Sequence, residues 1–264
     1  MGKIDARSKA FFSNSRNFAD LINGAIFNGK AVINPKDLVE MNVERINITD
    51  DSITSADIIK KWSVNGLNLA IIPIESQNYI DYGMVIRNMV NEALEYKKQV
   101  SDIISFHNKE KDINNSDEFL SGITKSDMLT PIITVVVYLG KKKWDGPREL
   151  YDMVDIDKRL APYIYNYRIN LVDYHDFNDF EMFYGEVKKL FTILSYRTDK
   201  NKTIEYFKKN KYMKYNTARL IGGLTGINTE RFIIKTLKGD VIDMFEAMEE
   251  YYNDGVSEGI EKRN

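Results

Sequence analysis

The stretch Asp57-Ile58-Ile59-Lys60-Lys61-Trp62-Ser63-Val64-Asn65-Gly66-Leu67-Asn68-Leu69-Ala70-Ile71-Ile72-Pro73-Ile74-Glu75-Ser76-Gln77 decides how this chain is read. Asn-Gly between two apolar runs is the strongest short-range hairpin signal, because both turn residues tolerate the positive φ that a tight turn demands. Side chains two apart on a strand share a face, so Glu75 and Gln77 point the same way from the end of a buried run. The antiparallel return brings Asp57 back beside them. Two carboxylates and an amide at the mouth of an apolar sheet suit a hard cation held by oxygen ligands. The same residues suit a strand that simply ends in water, and spacing alone leaves both readings open.

Outward from the hairpin, the pattern predicts a helix from about Ser8 to Asn28, stopped at Gly29, then a helical turn over 35–40 and a weak edge strand over 43–48. After the hairpin the spacing turns helical from Tyr79 to about Ser105, and the polar run 108–116 reads as a loop. Pro131 opens the most hydrophobic strand, Ile132 to Leu139, whose unbroken apolar character predicts cover on both faces. A later strand is expected from Tyr167 to Tyr174. Beyond Asp179 the pattern is helical. Phe183, Val187, Leu190, Phe191 and Leu194 form one face, further helices fit 203–209, 214–220 and 229–237, and a last stripe runs through Val241, Phe245, Met248, Tyr252, Val256 and Ile260. This order predicts an α/β fold: a core over residues 1–176 with a mixed sheet between helices, then a helical C-terminal region over 177–264. The last stripe reads either as the seal of a core or as a face for a homodimer or another partner.

Composition narrows the chemistry. The 264 residues are 43% hydrophobic and 29% charged, as in an ordinary globular protein. There is no cysteine, which excludes disulfide frameworks and thiolate sites, and His107 and His175 are the only histidines, which disfavours an imidazole-rich zinc site. Carboxylates and carbonyls remain as ligands, which favours magnesium or manganese. The start, Met1 to Arg7, lacks the apolar core of a signal peptide, and no stretch is apolar for the length of a membrane span. A cytoplasmic protein without membrane contact is expected. A net charge of −2 advertises no global affinity for polyanions, although local cations can still meet phosphate.

The D…E-x-Q layout of Asp57, Glu75 and Gln77 resembles the PD-(D/E)XK nuclease superfamily. Other segments recur in order: Phe11-Phe12, Phe18 to Gly24, Ala31 to Pro35, Asp37-Leu38, Phe119 to Gly122, Pro131 to Gly140, and Lys143-Trp144-Asp145-Gly146-Pro147-Arg148-Glu149-Leu150. Together they are similar to the recombination-promoting nuclease (putative transposase, YhgA-like) family, and the W-D-G-P-R run is the most specific of them. The resemblance implies a restriction-endonuclease-like core and a magnesium-dependent endonuclease acting on DNA, linked to recombination or mobile elements. It departs from the superfamily pattern at Gln77, which stands where a lysine is usual. An uncharged residue there also fits a catalytically silent module for DNA or protein binding.

On this reading Asp57, Glu75 and the backbone carbonyl of Ser76 would hold the metal, and Gln77 would donate a hydrogen bond to the attacking water or the scissile phosphate. The family points to Asp20 as an additional acidic group, although on a helix it lies nearly opposite the stripe of Phe18, Leu21, Ile22 and Ala25. Arg87 and Asn91 fall within the inward arc of Ile80, Met84 and Leu94. Arg87 there either pairs with a site carboxylate, reaches a phosphate, or extends past the sheet edge into water. Lys141, Lys142, Lys143 and Arg148 form the best local basic patch for DNA. Trp144 among them is expected to pack rather than stack on a base.

Overall fold

The computed structural model describes residues 3–41, 57–113, 115–226 and 237–249. Asn65 and Gly66 both take positive φ, 52° and 81°, and turn the chain between β2 (Ile58–Val64) and β3 (Leu67–Gln77). The two strands pair antiparallel with Ile58 opposite Ile74, as the Asn-Gly signal predicts. β1 (Leu38–Glu40) joins β2 on one side; on the other, β4 (Val135–Tyr138) pairs parallel with β3, and β5 (Asn170–Asp173) pairs parallel with β4. The result is a five-stranded mixed sheet in the order β1-β2-β3-β4-β5. Two parallel neighbours cannot be joined by a tight turn. The link from β3 to β4 therefore runs through α3 (Met84–Glu110) and the short α4 (Ser116–Ser121).

All four residues of β4 are buried, and alternate side chains go to different layers. Val135 and Val137, with Ile72 and Ile74 of β3, face the main core. That core is built with α1 (Lys3–Ser13), α2 (Ser15–Ala25), α5 (Gly185–Tyr196), α6 (Lys200–Lys209) and α7 (Tyr215–Thr225). Val136 and Tyr138 face the other way, against Met84 of α3 and Trp144. This is the α/β architecture expected from the sequence, consistent with a restriction-endonuclease-like core. Among the described residues no helix is long and apolar enough to cross a membrane.

Two local expectations change. The single helix over 8–28 is two helices, because Asn14 takes an extended backbone and its side chain accepts from the N–H groups of Arg16 and Asn17, capping α2. Val241 opens no helix: β8 (Val241–Asp243) pairs antiparallel with β6 (Tyr212–Lys214) and β7 (Leu237–Lys238). Gly239, at φ 67°, allows the tight turn that makes this pairing possible. Helix resumes over 244–249, where Met244 and Met248 are buried in the main core and Phe245 packs against it. The described part of the terminal stripe thus seals the protein's own core, and the expectation of a homodimer rests on residues outside those described. The proposed edge strand at 43–48 and the helix over 229–237, save Leu237 in β7, also lie outside them.

Two contacts clamp α2 to the start of α5 and yield predictions. Alanine in place of a helix-interior glycine ordinarily gains up to about 1 kcal/mol. At Gly24, however, a Cβ would overlap the ring of Phe183 and lie 3.1 Å from the carbonyl of Met182. Phe183 cannot yield, being fully buried and edge-on to Phe177 and Phe191 at 5.3 and 5.0 Å. Overpacking should win, and Gly24→Ala should destabilise the fold by about 1–3 kcal/mol in urea unfolding.

Asp20 accepts the backbone N–H of Tyr184 at 2.7 Å, yet burial lifts its carboxyl from 3.8 to about 6 against that bond. A raised acid pKa means that the folded state keeps a proton the unfolded chain has already released. Its contribution should be complete at low pH, fall as pH rises through about 4 to 6, and stay level above that. Asp20→Asn keeps the acceptor and loses this titration, so the fall in stability across this range in urea unfolding should be smaller in the variant than in the parent.

Candidate functional site

β3, β4 and β5 run parallel and end level, with Gln77 opposite Tyr138 and Tyr138 opposite Asp173. The end of such a parallel set is where α/β sheets ordinarily present a binding crevice. Ile58 pairs with Ile74, so continuing the register by one residue sets Asp57 opposite Glu75. Asp57 is then fixed by two bonds to one oxygen: Oδ2 accepts from both the backbone N–H and the Oγ–H of Ser76 at 3.0 Å. Glu75 and Gln77 leave β3 on the face covered by α3, and Gln77 Nε2 donates to Glu75 Oε1 at 3.1 Å. The hairpin therefore gathers Asp57, Glu75, Ser76 and Gln77, as the sequence pattern proposes.

Arg87 completes the group from α3. Its Nη2 lies 2.5 Å from Glu75 Oε1, and its Nη1 lies 2.9 Å from Asp81 Oδ2. The guanidinium is thus shared between a buried carboxylate on the sheet and a second one at the head of α3. Asp81 is held in turn by accepting the Gly83 N–H at 2.8 Å. Of the alternatives open for Arg87, the pair with a site carboxylate is the one realised.

The group is not fully satisfied. Glu75 Oε2 and Arg87 Nε are buried with no hydrogen-bond partner, as are both side-chain polar atoms of the neighbouring Asn88. An unmet buried polar atom costs about 1–3 kcal/mol, so the arrangement is held against a penalty. Burial pushes the Glu75 carboxyl up to about 7; Asp57 and Asp81 push the same way, while Arg87 and the Gln77 amide pull it down. Opposed environments of this kind cluster at functional sites.

The remaining candidates lie at varying distances from this centre. Asp20 is engaged with Tyr184, and the charges bearing on Glu75 are Arg87, Asp57 and Asp81. The basic run stands at the same end of the sheet, because Trp144 packs edge-on to Tyr138 at 5.1 Å and is buried, as expected of it. Tyr82 donates to Asp145 Oδ1 at 3.1 Å, tying that run to the segment before α3. Lys141 and Lys142 are exposed, whereas Lys143 and Arg148 both pair with Asp176, at 2.9 and 2.8 Å.

Sequence reasoning missed Asp81 and Asn88. Asp81 carried a usable signal: Asp two residues before Gly at a helix start is an Asx-turn pattern, and such a turn leaves the other carboxylate oxygen free to take a cation from the first turns of the helix. Asn88 carried none beyond its place next to Arg87.

The residues present fit a divalent cation in one specific respect: Glu75 Oε2 is a buried carboxylate oxygen without a partner, beside a second carboxylate. Among the described residues no group of three or more Asp, Glu, His or Cys side chains is placed to hold a metal ion, so backbone, water or substrate oxygens would have to complete a coordination shell.

No curated protein and no solved structure matches the chain. The family model described as putative transposase, YhgA-like matches residues 71–213, which takes in Glu75, Gln77, Arg87, the crossover, β4, β5 and the basic run. That is more than half of the sequence, and the chain belongs to the YhgA-like putative transposase family.

Proposed function

We propose that this protein is a metal-dependent endonuclease that hydrolyses phosphodiester bonds in DNA, with a PD-(D/E)XK arrangement of site residues, acting where DNA is recombined or mobile elements move. The observation that carries the reading is the Asp57–Glu75 pair, fixed on one hairpin at the ends of the parallel strands with a buried oxygen of Glu75 unpartnered. Magnesium or manganese, held by Asp57, Glu75 and the Ser76 carbonyl, would lower the pKa of a bound water and neutralise charge on the phosphate. Asp57 brings its carboxylate already oriented by Ser76, so little ordering is left to substrate binding. Gln77 contributes an amide N–H that can turn from Glu75 to a water or a phosphate oxygen. Lys141 and Lys142 offer the backbone of DNA cations that are already in water.

A second reading has its own observation. The guanidinium of Arg87 sits 2.5 Å from Glu75, where it already supplies a positive charge, and Gln77 brings none. A protein that binds DNA or another protein without cutting would look the same.

Incubation of the purified protein with supercoiled and linear DNA separates the two. Nicking or cutting is expected with magnesium or manganese and not with EDTA, and Asp57→Ala or Glu75→Ala should lower it about a hundredfold or more. Equal cleavage by parent and variants would assign the activity to a contaminant. DNA retention without cleavage under either metal would leave the silent module as the better reading.

A further inference from the structure

Arg87 stands in the way of the function just proposed as much as it serves it. Its Nη2 takes Glu75 Oε1 at 2.5 Å, and Gln77 donates to that same oxygen at 3.1 Å. The other oxygen, Oε2, is buried and has no partner. In this conformation neither oxygen of the carboxylate is open to a cation from solvent.

We infer that Arg87 is a displaceable counter-cation for Glu75: it closes the site in the free protein and must leave before a divalent ion can be held. This rests on the reading of Asp57 and Glu75 as metal ligands and names the regulation of that site. Three features make the guanidinium displaceable rather than a permanent strut. Its side chain is 25% exposed while that of Glu75 is 8% exposed, so Arg87 has a way out toward water and the carboxylate does not. Asp81, 22% exposed and already 2.9 Å from Nη1, holds the fork when Nη2 lets go. Arg87 Nε and Glu75 Oε2 both lack partners in the closed arrangement, so opening gives each an opportunity it does not now have. A guanidinium released from Glu75 but retained by Asp81 stays at the mouth of the site, where its planar fork matches a phosphate. The free protein would then bind metal weakly, and a phosphodiester that draws Arg87 away would favour metal binding.

The test is a titration of manganese, by calorimetry and by the electron paramagnetic resonance of the free ion, into the parent chain and into Arg87→Gln, Arg87→Lys, Glu75→Gln and Asp57→Ala. Circular dichroism and thermal melting report whether each variant is folded. Arg87→Gln should bind manganese about tenfold more tightly, within the range usual for coupled sites. Arg87→Lys keeps the charge and loses the fork, so a gain there separates direct occupation of Glu75 from mere repulsion across space. Should Arg87→Gln fail to fold, Arg87→Lys decides: tighter binding than the parent supports the inference, and equal or weaker binding overturns it. If Glu75→Gln weakens binding while neither arginine variant tightens it, the metal site stands and the competition is refuted. If Glu75→Gln and Asp57→Ala both bind as the parent does, the site lies elsewhere and the inference falls with it.

Discussion

A carboxylate taken out of water has to be met by charge or hydrogen bonds, and at Glu75 that demand organises the neighbourhood. Glu75 lies near the end of a run of buried strand residues, on the face that α3 covers. The helix that covers it brings a cation there, on Arg87, one turn in from its start. Asp81 then balances the guanidinium and, by accepting the Gly83 N–H, shapes the turn that launches the helix. Strand end, turn and helix start are thus tied through one short chain of charges. Removing one partner of such a buried pair strands the other, so the group is coupled as well as charged.

The second constraint gathers the hairpin carboxylates and the basic run at one end of the sheet. Parallel pairing of β3, β4 and β5 does this, since all three strands release their following segments at the same edge. Asp173 at the end of β5 is buried and accepts the Trp144 N–H at 2.8 Å, and the His175 N–H at 3.0 Å, so the segments after β4 and β5 are fastened to each other. Trp144 is in turn packed on Tyr138, level with Gln77. The cations of the basic run are therefore positioned by an apolar ring and a buried acid and need no contact of their own with the sheet. Asp176 neutralises two of them, which concentrates the exposed positive charge at Lys141 and Lys142.

Much of this was legible because it depends on period and local turn chemistry. Asn65-Gly66 gave the hairpin, alternation put Glu75 and Gln77 on one face, and the unbroken Ile132–Leu139 run announced a strand covered on both sides even though the regular strand is shorter. What was not legible depended on long-range pairing. Tyr212–Lys214 is too short to show a period, and Val241–Asp243 matches a helical stripe as well as it matches a strand. Only their mutual pairing makes them a sheet. The break at Asn14 was hidden for another reason: an asparagine inside an apolar helical pattern signals a cap only if the chain bends there. In the site, the hairpin residues could be read from one strand and its return, whereas the Arg87–Asp81 bridge needed the crossover helix to be laid on the sheet first.

The departure at Gln77 takes on a different sense beside Arg87. A lysine at 77 would point from the same face of β3 toward the same carboxylate, placing a second full charge next to a guanidinium 2.5 Å from Glu75. Two cations gathered on one carboxylate repel each other, and in a buried setting the cost is larger than in water. The neutral amide avoids this: it donates to Glu75 Oε1 without competing electrostatically with Arg87, so both donors share a single oxygen. In the superfamily pattern the positive charge comes from the strand that carries the acid. On the reading proposed above it comes instead from the helix across from it, on a partly exposed side chain that Asp81 also holds, in place of a strand lysine.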